Sequence, residues 1–221
     1  METNTVALIK GPPGGSTFSL KQVDWETLEN LRDAARDHFL LINPPAEPGP
    51  MEIARWERWS GPLMVSLNGP AEASLPDYSR IVVATANPGR IRALAEWVAE
   101  LAAAAHGHVY LLVTLEQADD ADDADLQAEY HLAQEQLSTI ATSLRLLGIH
   151  AHWEVRFGEL GEEVATLART TGSKVIALDR PGEDEPGCDV ARVYKYLREH
   201  GPKLYLLIKP ADEVRPRGNE R

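Results

Sequence analysis

Residues 79–115 read SRIVVATANPGRIRALAEWVAELAAAAHGHVYLLVTL, and this stretch decides the fold. It begins with an apolar, mostly β-branched run at residues 81–84, which predicts a buried strand. Apolar residues then recur at helical spacing from Ile91 to Ala105, and a second apolar run at 109–115 predicts the next strand. A strand, a helix and a strand in succession indicate two parallel strands joined by a crossover helix.

The same alternation continues toward the C-terminus. Further helices are predicted at 126–147, where Gly148 stands in the position of a C-cap glycine, at 161–170 and at 190–199. Further strands are predicted at 150–157, 174–178 and 204–208. Strands that are apolar throughout and alternate with helices are typical of parallel sheets covered on both faces. The sequence therefore predicts an α/β domain with an open, mainly parallel five-stranded sheet and helices on both faces.

The residues before this domain have a different composition. Nine of the fifteen prolines precede Arg80, which predicts a boundary near residues 75–78. Short apolar runs at 6–9, 39–42 and 63–67 predict strands there, and helical patterns begin at Asp24 and at Met51. We therefore divide the chain into a small Pro-rich α/β element at 1–78, the main domain at 79–210 and a polar tail at 211–221.

Composition and charge exclude several classes of protein. With 22 Lys and Arg against 34 Asp and Glu, the net charge is −12, so the clustered cations that nucleic acid needs are missing. The longest nearly apolar stretch, 101–115, is shorter than the ~20 residues of a membrane span, so we expect no membrane insertion. The N-terminal residues lack the pattern of a signal peptide, and Cys188 has no second cysteine to pair with. We expect a cytoplasmic protein.

No pattern of residues indicates catalysis or a metal. His106 and His108, like His150 and His152, have the alternate spacing that puts two side chains on one face of a strand. Each pair precedes or begins a predicted strand, away from the carboxyl edge where sites of such folds lie, so we interpret them as solvated or core-edge histidines. No Ser/His/Asp spacing or carboxylate pair stands out. We expect no catalytic residue, no metal and no enzymatic activity.

With these elements in place, residues 79–210 resemble the universal stress protein family. RIVVATANPGRIRALAEWVAELA is similar to its first strand and helix, HVYLLVTLE to its second strand, and EYHLAQEQLSTIATSLRLLGI to its second helix. WEVRFGELGEEVATLARTTGSKVIALDRPG is similar to its third strand, third helix and fourth strand with the loop that follows. The resemblance implies the strand order 3-2-1-4-5. It leaves the first 78 residues unrecognised.

Some members of that family bind ATP, through an Asp after the first strand and a Gly-x2-Gly-x9-Gly-Ser/Thr motif after the fourth. The resemblance puts Ala86 at the Asp position, Asp179 at the first glycine and Gly182 at the second. The third glycine falls on Ala191 or Arg192, and the hydroxyl residue on Arg192 or Val193. Only Gly182 matches.

The loop after the fourth strand also carries Glu183, Asp184 and Glu185, whose charges would repel a phosphate. We therefore expect no cofactor. If a nucleotide nevertheless binds, the resemblance assigns it to Ala86, Asn87, Gly89, Val113, Asp179, Arg180 and Gly182. Asp179 and Arg180 are the best-placed polar pair of the chain, and we interpret them as an ion pair that fixes a loop.

The leading hypothesis is a non-enzymatic regulatory or scaffold protein whose universal-stress-protein-like domain has lost nucleotide binding. The first alternative is a nucleotide-binding stress protein with a divergent phosphate loop. The second is an accessory subunit of a larger assembly, such as a transporter, with residues 1–78 as the adaptor to a protein partner.

The last predicted strand suggests how two copies could pair. By analogy to the family it lies at one edge of the sheet, and it is apolar with no charge before Lys209. We therefore predict a homodimer through Leu204, Tyr205, Leu206, Leu207 and Ile208. The competing possibility is that the N-terminal element adds a strand of its own to this edge and leaves a monomer.

Overall fold

A computed structural model of the chain describes residues 5–10, 21–23, 38–43, 63–67, 77–115, 123–179 and 190–209. Within these ranges there are four helices: α1 (Ile91–Ala104), α2 (Asp123–Leu146), α3 (Leu160–Thr171) and α4 (Val190–His200). A short 3₁₀ turn, Pro88–Arg90, precedes α1. None of the helices in the described residues is long and apolar enough to cross a membrane.

The described residues also form a single sheet of nine strands. In chain order the strands are β1 (Thr5–Lys10), β2 (Lys21–Val23), β3 (His38–Asn43), β4 (Leu63–Leu67), β5 (Arg80–Thr85), β6 (His108–Leu115), β7 (His150–Phe157), β8 (Val175–Asp179) and β9 (Leu204–Lys209). Their order across the sheet is β2-β1-β3-β4-β9-β8-β5-β6-β7.

The predicted α/β class and strand order are confirmed. The last five strands of the chain lie side by side as β7-β6-β5-β8-β9, and all four pairings among them are parallel. This is the order 3-2-1-4-5 that the resemblance implies. The predicted end of α2 is also correct, since Gly148 adopts a φ of +79°, a conformation that favours glycine.

Side chains of the central strands alternate between two apolar cores. Ile81 and Val83 of β5 pack with α1 and α2 on one face of the sheet. Val82 and Ala84, their neighbours in the same strand, pack with α3 and α4 on the other face. Because both faces of this strand are buried, its sequence is a continuous apolar run.

The sheet does not stop at β9, which is where the sequence analysis placed its edge. β4 pairs antiparallel with β9, with Met64 opposite Leu207 and Val65 opposite Leu206. β3 then pairs parallel with β4, and β1 and β2 extend the sheet further. The three strands predicted in the N-terminal element are therefore present as β1, β3 and β4. The helices predicted to begin at Asp24 and Met51 lie outside the described residues.

This arrangement corrects the predicted dimer interface. β9 has β8 on one side and β4 on the other, so its backbone groups are already paired within the chain. The five residues assigned to the interface are all buried: Leu204, Tyr205, Leu206, Leu207 and Ile208. The premise of an exposed edge at β9 is wrong. The alternative, in which the N-terminal element adds a strand there, is the observed one.

At the opposite end of the sheet, β7 pairs with β6 alone within the described part of the chain. His150 directs its N–H toward the neighbouring strand, where it donates to Gly107 O at 3.3 Å. Since backbone groups alternate along a strand, Ala151 directs its carbonyl to the open side. Arg145, in the last turn of α2, donates to this carbonyl from Nε at 3.1 Å and from Nη2 at 2.5 Å. A charged side chain thus covers part of the outer edge of β7.

The pairing of β4 with β9 predicts the behaviour of a truncated chain. We expect residues 77–209 expressed alone to melt at a lower temperature than the whole chain and to self-associate. Removal of β4 exposes the β9 backbone and loses apolar side chains that contribute about 1.5–3 kcal/mol each when buried. Thermal melting and light scattering measure the two effects.

Leu206→Pro in the truncated segment is the matched control: Tyr205 N–H points to the β8 side, so Leu206 N–H points to the open β4 side, and proline has no N–H to pair there with a second copy. We expect it to reduce self-association. A truncated segment that is monomeric and as stable as the whole chain would contradict this account of β4.

Candidate functional site

The best-placed candidate site lies where β5 and β8 end beside each other. Ala84 is in register with Leu178, so the next residues, Thr85 and Asp179, bring the carboxyl ends of the two strands together. β5 leads into α1 on one face of the sheet, and β8 is followed by α4 on the other. Sheets of this kind bind ligands at the point where successive connections leave toward opposite faces.

The connection from β5 to α1 is held by its own hydrogen bonds. The Asn87 N–H donates to Thr85 Oγ1 at 3.0 Å, and the Gly89 N–H donates to Asn87 Oδ1 at 3.0 Å. The Arg90 N–H donates to the Asn87 carbonyl, also at 3.0 Å. Three successive donors that could face a ligand are therefore used within the loop. These hydrogen bonds fix the start of α1. The three N–H groups already have acceptors within the loop.

An ion pair closes the site between the two strand ends. Arg90 Nε lies 2.5 Å from Asp179 Oδ2, and the side chains are only 16% and 2% exposed. Among the described residues, no group other than Arg90 donates a hydrogen bond to either carboxylate oxygen of Asp179. The guanidinium of Arg90 is thus the charge that compensates a buried carboxylate, and burial makes such compensation necessary.

Most of the residues assigned to a possible nucleotide site do come together. Ala86, Asn87 and Gly89 follow β5, Val113 pairs with Thr85 from β6, and Asp179 ends β8. Val113 is fully buried in the core under α1 and α2. Arg180, Gly182 and the acidic residues 183–185 lie outside the described residues.

The start of α4 holds the last residues that the resemblance aligns with the ATP-binding motif. Ala191 and Val193 belong to its first turn, where the resemblance puts the last glycine and the hydroxyl residue. Between them, Arg192 forms an ion pair with Glu159, with Nη2 and Oε1 2.6 Å apart.

Sequence reasoning missed Arg90. Asp179 forms an ion pair with Arg90, 89 positions away, whereas its predicted pairing with Arg180 involves a residue outside the described ranges. The available signal was the position of Arg90, which follows the first strand of the domain by one short turn. Such a residue reaches the end of the adjacent strand in a parallel sheet, although the sequence alone does not say which strand is adjacent.

Comparisons with known proteins bear on this site. The model of the universal stress protein family matches residues 77–189. No curated protein is a significant match to the chain.

The chain is similar to several solved structures. A universal stress protein from Archaeoglobus fulgidus DSM 4304 has a TM-score of 0.57 at 11% identity, over 84% of this chain and 66% of that one. A protein of the family from Burkholderia pseudomallei has a TM-score of 0.48 at 20% identity, over 62% of this chain and 100% of that one. The Archaeoglobus fulgidus universal stress protein in complex with dAMP has a TM-score of 0.43 at 18% identity, over 60% of this chain and 98% of that one.

The ion pair predicts a specific pattern of stability changes. Asp179→Ala removes the carboxylate that faces the largely buried Arg90 guanidinium, so we expect a loss of about 3 kcal/mol in the free energy of unfolding. Replacing both partners by apolar residues, Arg90→Met with Asp179→Leu, should cost less than either single change. Urea unfolding of Asp179→Ala, Arg90→Met, Asp179→Leu and the double variant measures this.

Arg192→Ala serves as the control, because its ion pair with Glu159 is 65% and 51% exposed and should contribute less than about 1 kcal/mol. Additive losses in the double variant would show that Arg90 and Asp179 do not act as a pair.

Proposed function

The chain belongs to the universal stress protein family, and on that premise we propose that it is a non-enzymatic regulatory or scaffold protein in which an internal ion pair occupies the phosphate position. The observation that carries this proposal is the contact between Arg90 and Asp179. Asp179 stands where the ATP-binding motif has its first glycine. A glycine there lets backbone N–H groups approach a phosphate, whereas a buried carboxylate repels it.

The loop after β5 supports the same conclusion. The amides of Asn87 and Gly89, which the nucleotide-binding alternative requires, donate to oxygens within the loop. A phosphate would have to replace these bonds and also separate Arg90 from its counter-ion. Both changes cost free energy before any contact with the ligand is gained.

The N-terminal strands support a role in protein contact. The family model begins at residue 77, so β1 to β4 are an addition to the part it matches. They lengthen the sheet beyond β9 and provide a surface that the family domain alone does not have. We propose this surface as the place where a protein partner binds, in the cytoplasm, and a larger assembly such as a transporter is one kind of partner.

Titration calorimetry tests the loss of nucleotide binding. We expect no binding of Mg-ATP with a dissociation constant below ~100 μM, because several charge-assisted contacts of about 1.5–3 kcal/mol each are absent. The mass and absorbance spectrum of the purified protein after denaturation should likewise show no nucleotide. A dissociation constant in the low micromolar range, or a copurified nucleotide, would favour the nucleotide-binding alternative instead.

Asp179→Gly is the informative variant for this titration. It removes the carboxylate and leaves Arg90 as a cation beside a glycine, so we expect weak binding of Mg-ATP to appear where the unaltered chain has none. Asp179→Asn, which keeps the shape of the side chain, is the control and should bind less than the glycine variant.

A further inference from the structure

A row of aromatic rings stands at the amino ends of β6 and β7, far along the sheet from the ion pair. We call it the histidine face and define it by His108, Tyr110, His150 and His152. His108 is in register with His150, and Tyr110 with His152. The His108 and His150 rings lie 4.7 Å apart at an interplanar angle of 18°, and the His108 and His152 rings lie 6.2 Å apart at 10°.

The histidine face is accessible to solvent on β7 and partly covered on β6. His150 and His152 are exposed, whereas His108 and Tyr110 are half-buried. His108 Nδ1 is buried and has no hydrogen-bond partner. The rings stack against one another. Among the described residues, no acceptor is in place for a proton on His108 Nδ1.

The neighbouring charges are mainly basic. Arg80 of β5 is in register with His108, so Arg80, His108 and His150 form one line across three strands. Arg80 Nη1 donates to the carbonyl of Thr171 at the end of α3, at 2.9 Å. The other charged or titratable groups of the surrounding elements and connections are Asp77, Tyr78, His106, Tyr110, Glu154, Arg156, Glu163, Arg169 and Lys174.

The carboxylates among these groups are already engaged: Asp77 accepts from Ser79 N at 2.9 Å and from Ser79 Oγ at 2.8 Å, and Glu154 and Glu163 are paired with Arg156. Arg156 lies 2.5 Å from Glu154 and 3.0 Å from Glu163. Among the residues with a described position, no three His, Cys, Asp or Glu side chains are arranged to hold a metal ion. Near-parallel rings direct their in-plane lone pairs side by side instead of toward one point. Within the described residues, neither a metal site nor an unengaged carboxylate is therefore placed to compensate the charge of a protonated imidazole.

We propose that the histidine face is a proton-sensitive contact, which holds β7 against β6 when its imidazoles are neutral and loosens this end of the sheet when they become charged. Stacked neutral rings attract one another, whereas imidazolium groups at these distances repel one another and Arg80. Among the described strands β7 pairs with β6 alone, and His150 makes its first backbone bond to Gly107. Repulsion between the charged rings should therefore displace the amino end of β7 more easily than a strand with neighbours on both sides.

The direction of the pH dependence follows from His108. Its pKa is lowered from 6.5, first by burial and then by His150, His152 and Arg80. The unfolded chain therefore binds more protons than the folded chain just below pH 6.5, and stability rises with pH in that range. The stabilisation is complete above pH 6.5 and is lost as the pH falls below it. Carboxylates contribute little in this window, since their ordinary pKa values lie near 4.

Two measurements test the proposal on the whole chain. Between pH 7.5 and 5.5 we expect the melting temperature to fall by about 2–4 °C, and amide exchange at residues 151–153 to accelerate more than exchange in β5 after correction for the intrinsic rate. His150→Gln removes one exposed ring and should reduce both changes by about half. His131→Gln, at an exposed position of α2 away from the histidine face, is the control and should leave both unchanged.

NMR titration of the imidazole protons keeps the test independent of how well a variant folds. We expect the His108 ring to titrate below 6.5, the ordinary value for histidine, and its titration midpoint to rise in His150→Gln. Equal pH dependence of the melting temperature in the unaltered chain, His150→Gln and His131→Gln would overturn the proposal. So would a His108 ring that titrates at 6.5 or above. A loss or retention of nucleotide binding does not affect either result, because the histidine face lies at the other end of the strands.

Discussion

A parallel sheet that is apolar on both faces has to be covered on both faces and closed at both edges, and this constraint governs the whole molecule. Helices cover the two faces in pairs, α1 with α2 and α3 with α4. At one edge of the family domain, β4 supplies the missing strand to β9. At the other edge, Arg145 reaches from α2 to the carbonyl of Ala151. The chain thus uses a backbone strand at one side and a charged side chain at the other.

The fold of residues 79–210 was predictable because each element leaves a local pattern. The continuous apolar run at 81–84, the helical spacing after Ile91 and the glycine at 148 each depend on neighbours in the sequence. The partner of β9 leaves no such pattern. Residues 63–67 and 204–208 are both apolar strands, and nothing in either segment says that it pairs with the other rather than with a second copy of the chain.

The site, too, was only partly predictable from the sequence. Asp179 and Asn87 were identified because they follow predicted strands, but Arg90 depends on which strands are neighbours. The histidines show the same limit: their alternate spacing was visible, yet their meeting depends on the register that sets His108 opposite His150. A buried ion pair is expensive compared with apolar side chains of similar size, so Arg90 and Asp179 are better explained by specificity than by stability. Under the proposed function, they occupy with charges of the chain itself the position where the phosphates of a nucleotide would bind.

The pairing of β4 with β9 also means that β4 is synthesised well before it can be assembled into the complete sheet. Val65 pairs with Leu206, so the partners in this ladder are 141 positions apart. At the usual rate of translation, β4 leaves the ribosome on the order of ten seconds before β9 exists. Contacts over such a distance in sequence also form late in folding, because a long loop must be closed first. For that interval β4 can pair with β3 but not with β9, so one edge of β4 stays open to the strands of other chains.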